Sequence, residues 1–182
     1  MIGRINSFQS LGAVDGPGIR YVVFMQGCNL RCKFCHNPET WDCNLGETYT
    51  PEEVFSRVIK YKEYFGENGG ITVSGGEPLL QSKFVYQLFE LCKKNGINTC
   101  LDTSGTILND SVKELLSVTD IVLLDIKFTN DLDYINITKA NYQNVLLFLE
   151  YLDKQNIKTI IRQVIIPSVN DNDENISNLK IP

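Results

Sequence analysis

The chain has 182 residues, 43% hydrophobic and 10% aromatic, which is enough for one folded domain with a buried core and too little for two large ones. Lys and Arg total 17 against 22 Asp and Glu, a net charge of -5, so no basic field is present to draw a nucleic-acid backbone or an anionic membrane surface. The opening MIGRINSFQSLG has no apolar core of the signal-peptide kind, and no apolar run approaches the roughly 18 residues that span a bilayer, so a cytoplasmic protein with neither nucleic-acid nor membrane partners is expected.

In chain order, the first apolar, β-branched run, 19–24, reads as a buried strand and leads into GCNLRCKFCHN, with Cys28, Cys32 and Cys35 spaced CxxxCxxC. Thr50-Pro51-Glu52-Glu53 is a capping box with proline at the first helical position, and it predicts a helix running to Gly66. Strand 70–74 ends in SGGEP. SKFVYQLFELCKKNG predicts an amphipathic helix that stops at Gly96 with two lysines in its last turn. Strand 97–102 ends in DTSG, NDSVKELLSV is a short third helix, and strand 121–126 ends in DIK. NYQNVLLFLEYLDKQN is a fourth helix, and strand 157–166 runs into IPSVND before a further helix begins.

Strand-helix alternation implies parallel strands with right-handed crossovers, in either an open doubly wound sheet or part of a β/α barrel. Both bind ligands at the carboxyl ends of their strands. The cysteine loop, SGGEP, DTSG, DIK and IPSVND all fall there, so nearly all the unusual polar residues are expected on one rim.

Six cysteines in a cytosolic chain of this length do not suggest a disulfide framework, and Cys43, Cys92 and Cys100 read as scattered free thiols. The other three match neither the paired CxxC of a zinc site nor the four-cysteine runs of ferredoxins. His36 directly follows Cys35, which makes joint binding to one metal awkward. A [4Fe–4S] cluster held by three thiolates leaves one iron open, and an open iron is a reaction site rather than a structural plug.

CxxxCxxC with Phe34 before the third cysteine resembles the cluster motif of the radical S-adenosylmethionine (SAM) enzymes. GPGIRYVVFMQGCNLRCKFC resembles more narrowly the signature of the activating enzymes of glycyl-radical enzymes. HNPETWD, SGGEPLLQ, CLDTSG, VTDIVLLDIK and IRQVIIP follow in order, similar to the pyruvate formate-lyase-activating type from residue 2 to about 173.

The resemblance implies an α/β fold: a partial (β/α) barrel of the radical SAM type, parallel strands with helices outside. The chain would be a single radical SAM core domain over 1–182, C-terminally short, with the final β/α unit missing. The implied activity is activation of pyruvate formate-lyase: a reduced [4Fe–4S] cluster cleaves SAM to a 5′-deoxyadenosyl radical, which takes hydrogen from a glycine of the target. The implied metal residues are Cys28, Cys32 and Cys35 for the cluster, and Asp102, Thr103 and Asp125 for a monovalent cation. The implied SAM contacts are Phe34, Cys35, His36, Gly76, Glu77, Asp125, Ile126 and Lys127, with Gly75 and Gly76 letting backbone approach the ligand and Glu77 accepting from its ammonium.

Each rim motif also has a plainer reading in isolation: a tight turn for GGEP, an ion-paired strand end for DIK, an Asx or Ser/Thr turn for DTSG. Asp15, in VDGPG, reads either as a turn residue or as a support for the incoming glycyl loop, and Trp41 as core rather than rim. No second cluster motif is present, which implies an external low-potential electron donor such as flavodoxin or ferredoxin. The absence of a cysteine-rich insert after WDC favours the compact type. Activation of another glycyl-radical enzyme, such as anaerobic ribonucleotide reductase, and a non-catalytic cluster-binding fragment are the alternatives.

Overall fold

The structure, a computed structural model, describes residues 1–179. Seven strands form one sheet in the order β3-β1-β2-β4-β5-β6-β7. The five expected strands are β2 (Arg20–Met25), β4 (Gly70–Gly75), β5 (Asn98–Thr103), β6 (Ile121–Asp125) and β7 (Lys158–Arg162), all parallel to one another. They make a partial (β/α) barrel with its helices outside. β7 is shorter than its apolar run because the backbone leaves the sheet after Arg162.

Two strands were not expected. β1 (Gly3–Gly12) pairs antiparallel with β2, and β3 (Glu47–Tyr49) pairs antiparallel with β1. GRINSFQSLG is polar and half exposed, so it carries little of the apolar signal that marks a buried strand.

The capping box of α1 (Pro51–Val58) is present: Thr50 Oγ1 accepts from the Glu53 amide at 3.2 Å, and Glu53 Oε2 accepts from the Thr50 amide at 2.7 Å. The helix is shorter than predicted, tightening into a 3-10 segment over Ile59–Tyr64. α2 (Ser82–Lys94) places Phe84, Val85, Leu88, Phe89 and Cys92 on one buried face. Each such side chain contributes about 1.5–3 kcal/mol relative to exposure. α3 (Asp110–Ser117) and α5 (Tyr142–Lys154) cover the same face further along. Between them a turn of helix, α4 (Asp131–Asp133), continues as a π-helical turn over Tyr134–Thr138, which sequence periodicity did not announce. α6 (Asp173–Asn178) is the expected further helix, and residues 180–182 of the terminal NLKIP lie outside the described residues.

Strand alternation divides the core. Val23, Ile71, Val73, Leu101, Val122 and Leu124 point outward into the main cluster beneath the helices. In-register residues point inward: Cys100, Ile121 and Leu123 form a small inner cluster with Ile160, and further along the strands Ser74, Asp102, Asp125 and Arg162 converge as a polar layer. The outer face stabilises the fold; the inner face ends in a site.

Candidate active site

A cavity of about 450 Å³ opens at the carboxyl ends of the strands. Of the expected site residues, Cys28, Cys32, Phe34, Cys35, His36, Gly76, Glu77, Asp102, Thr103, Asp125 and Lys127 line it. Ile126 does not: alternation turns its side chain into the outer core, where it is 2% exposed. IPSVND also departs from the expected rim, because it closes on itself. Asn170 Oδ1 accepts from the Ile166 amide at 2.6 Å, and Asn170 Nδ2 donates to the Val164 carbonyl at 2.9 Å. Arg162, Gln163 and Val164 reach the cavity in its place.

The cysteine loop is fixed from two sides. Gly27 N–H donates to the Thr40 carbonyl at 2.7 Å, while the Arg31 and Lys33 amides donate to the Thr138 and Ile137 carbonyls at 2.8 and 3.0 Å. The unforeseen π turn is therefore a support for the loop. Phe34 packs edge-on against Phe128, with ring centroids 6.1 Å apart. Trp41 is a rim residue, not core: it lines the cavity, and the Arg31 guanidinium lies 5.1 Å from its ring centroid.

Among the described residues, no three His, Cys, Asp or Glu side chains are gathered tightly enough to hold a single metal ion. Cys28, Cys32 and Cys35 nevertheless face one cavity, the arrangement required if each sulfur takes a different iron of a cluster. Burial pushes the Cys28 thiol up to about 11 and raises that of Cys32 too, with Lys127 opposing the rise at both. Thiols in such a place ionise readily only against a bound metal, so the donor set fits an iron–sulfur cluster. Cys92 and Cys100 are fully buried elsewhere, and Cys43 is exposed.

Glycine is required in GGEP for a reason other than ligand approach. Gly75 has φ 105°, and a Cβ there would lie 2.3 Å from the Met25 nitrogen; one on Gly76 would lie 2.2 Å from the Gly27 oxygen. The pair lets the turn dock on the backbone that enters the cysteine loop. Glu77, 1% exposed, then spans to β5: Oε1 accepts from Leu79 N–H at 3.1 Å and Thr103 Oγ1 at 2.6 Å, and Oε2 accepts from Ser104 N–H at 3.0 Å and from the Ser104 hydroxyl. Four donors occupy the carboxylate's four acceptor positions, so in this conformation it ties GGEP to DTSG.

Asp102 and Asp125 are joined by a residue the sequence did not single out. Arg162 donates from Nη2 to Asp102 Oδ1 at 2.5 Å and from Nε to Asp125 Oδ1 at 3.0 Å. Ser74 Oγ donates to Asp102 Oδ2 at 2.7 Å, and Lys127 Nζ lies 3.4 Å from Asp125 Oδ2. Thr103 turns to Glu77 instead, so the three residues expected to share a cation do not converge here. Burial and the neighbouring Asp125 push the Asp102 carboxyl up to about 6 against the pull of Arg162. Burial works against the Lys127 ammonium, yet Asp125 and Cys32 lift its pKa above the ordinary lysine value. The one available signal for Arg162 was its parity: it occupies the inward position of β7 level with Asp125.

The sequence profile of the Radical SAM superfamily matches residues 22–179. The chain is 44% identical to pyruvate formate-lyase 1-activating enzyme of Escherichia coli K12 over 182 residues, covering 98% of this chain and 74% of that protein. It belongs to the radical SAM superfamily, among the pyruvate formate-lyase-activating enzymes. A Clostridium pasteurianum pyruvate formate-lyase-activating enzyme is 46% identical over 180 residues, 98% of this chain and 75% of that one. Among solved structures, a domain of pyruvate-formate lyase-activating enzyme from Bacteroides vulgatus matches with TM-score 0.55 and 26% identity, over 59% of this chain and 67% of that one. Streptococcus suis SuiB bound to precursor peptide SuiA shares the fold, with TM-score 0.70 at 16% identity, over 87% of this chain and 34% of that one. Membership of this superfamily makes the chain an oxidoreductase of the kind that uses a [4Fe–4S] cluster and SAM.

Proposed function

We propose that this chain activates pyruvate formate-lyase by installing a glycyl radical on it, as one radical SAM core domain working in the cytoplasm. The observation that carries the reading is that Cys28, Cys32 and Cys35 face the same cavity as GGEP, DTSG and DIK, in a chain 44% identical to an enzyme named for that activity. The cluster and SAM together supply, when bound, a 5′-deoxyadenosyl radical able to take hydrogen from a glycine of the target protein.

The chain's own residues bind and orient. Cys28, Cys32 and Cys35 would hold the cluster; Phe34, His36 and the backbone at Gly76 and Ile126 would border SAM. Lys127 and Arg162 bring positive charge to the cavity, suited to a carboxylate. Asp125, and Glu77 if its present donors yield one position, would receive an ammonium. A monovalent cation at Asp102, Thr103 and Asp125 would have to replace Arg162 between the two carboxylates and turn Thr103 away from Glu77. The electron would come from an external low-potential carrier such as flavodoxin or ferredoxin.

Anaerobic reconstitution with iron and sulfide tests the reading. Four irons per chain, 5′-deoxyadenosine on reduction with SAM, and a glycyl radical signal by electron paramagnetic resonance after mixing with pyruvate formate-lyase are expected. Zinc uptake without SAM cleavage would sink it, and SAM cleavage with a radical only on another glycyl-radical enzyme would replace the target.

A further inference from the structure

The cysteine loop has an outer face as well as an inner one. Over 30–34 the chain alternates: Leu30, Cys32 and Phe34 line the cavity, whereas Arg31 and Lys33 are exposed and stand outside it. The amides of these two cations donate to the Thr138 and Ile137 carbonyls, which sets the loop alongside the π turn, whose next residue is the exposed Lys139. Neither stretch, 28–36 or 134–140, contains an acidic residue, in a chain whose net charge is -5. Arg31, Lys33 and Lys139 make no ion pair among the described residues.

Arg31 is fixed in place. Its Nη1 donates to the Cys28 and Leu30 carbonyls at 2.8 and 2.6 Å, and its guanidinium covers the Trp41 ring. Ile135, one turn before Lys139 and 51% exposed, adds an apolar side chain to the same surface. The flanking acids have other neighbours: Glu39 and Asp42 belong to the stretch that Gln26 anchors towards β1, while Asp131 and Asp133 accept from Gln143 and Asn130. Cations around an apolar side chain, on an otherwise acidic molecule, form a surface that steers and seats an acidic protein.

We propose that this outer face, made of Arg31, Lys33, Lys139 and Ile135, docks an acidic flavin-carrying electron-transfer protein of the flavodoxin class. The proposal rests on the reading that a cluster held by Cys28, Cys32 and Cys35 is reduced by an external carrier. One electron leaves the carrier's reduced flavin and reduces the cluster by one; no bond forms or breaks. Cys32 lies between the two outward cations, so a carrier seated on them is one thickness of chain from a cluster ligand. The cavity is on the other side of the loop, so the carrier does not take the space that SAM needs. Ile135 suits the apolar dimethylbenzene edge of a flavin, and a patch of this size is in keeping with the small interfaces of transient redox encounters.

The double variant Lys33→Glu/Lys139→Glu reverses two charges outside the cavity, and Lys60→Glu/Lys62→Glu makes the same change in net charge on the exposed 3-10 segment. With flavodoxin as the probe and protein reconstituted with iron and sulfide, four quantities are measured. They are flavodoxin affinity by calorimetry at several salt concentrations, the rate of cluster reduction by reduced flavodoxin, the rate with photoreduced 5-deazaflavin as a small reductant, and SAM binding. The Lys33/Lys139 variant should bind flavodoxin about tenfold more weakly, with a flatter salt dependence, and be reduced by it more slowly in proportion. Its SAM binding and its reduction by deazaflavin should be unchanged, Lys33→Gln/Lys139→Gln should fall between it and the wild type, and the Lys60/Lys62 variant should match the wild type. Equal loss in the two charge-reversal variants, or wild-type flavodoxin affinity in the Lys33/Lys139 variant, overturns the proposal. So does a KM for pyruvate formate-lyase that rises in the same proportion, which would make the face a substrate surface. If the wild type takes up iron yet cleaves no SAM with either reductant, the functional reading fails on its own, and the calorimetric comparison still decides for or against the docking face.

Discussion

Arg162 Nη2 donates to Asp102 Oδ1 at 2.5 Å, tying β7 to β5 across the intervening β6. The same guanidinium reaches Asp125, so a single side chain at the edge of the sheet neutralises two carboxylates that would otherwise repel.

Replacing Arg162 should therefore cost stability out of proportion to its position on an edge strand. Arg162→Met leaves Asp102 and Asp125 without their shared cation. The expected loss is on the order of 2 kcal/mol, below the full buried-pair cost because the arginine is about one-third exposed. Arg162→Lys should recover less than half of it, since an ammonium cannot fork between two acceptors. Urea unfolding of the three proteins at one salt concentration measures this, and equal midpoints would show that the bridge contributes nothing.

Asp102 should make stability depend on pH in an unusual direction. Its carboxyl is pushed up from 3.8 to about 6, so between those values the folded protein binds more protons than the unfolded chain. Its contribution is then fully present below about 3.8 and is lost as pH rises through about 6. Relative to Asp102→Asn, the wild type should lose on the order of 2 kcal/mol between pH 4 and pH 7. A wild-type advantage that grows with pH in paired denaturation curves would contradict the direction.

Glu77→Gln is isosteric, yet it should damage the site. An amide nitrogen cannot accept, so either the Leu79 amide and Thr103 hydroxyl or the two Ser104 donors lose their partner. About 2–3 kcal/mol of stability should go with them. The melting temperature should fall and SAM affinity should weaken, because GGEP would no longer be held to DTSG; a variant with wild-type melting and affinity would show the network to be dispensable.

The cysteines should separate by place rather than by number. Cys32→Ser should abolish 5′-deoxyadenosine formation and lower the iron content. Cys92→Ser, in the outer core on α2, should keep both while losing about 1–2 kcal/mol for a buried hydroxyl. Equal loss of cleavage in the two variants would count against the cluster assignment.

The sequence by itself determined the parallel strands, the caps and the four motifs that meet at the cavity, because each is written in local chemistry. β-branched runs bury on both faces, Thr50 and Glu53 satisfy each other across one turn, and CxxxCxxC places three thiols on one loop. It did not announce β1, whose exposed face dilutes the apolar pattern, or the π turn that braces the cysteine loop.

Only the tertiary structure decided what the polar residues do to one another. The sequence places Glu77 on the rim as an acceptor for an ammonium; that Thr103 and Ser104, 26 and 27 residues away, already donate to it is visible only in the fold. Nothing in the sequence singled out Arg162; register sets it level with Asp125 and within reach of Asp102. Arg20 passed as part of a glycine-rich signature until strand alternation turned it into the barrel. A local motif specifies which groups stand on a rim. Which donor meets which acceptor depends on strand register and face, and those are set by packing the whole sheet against its helices.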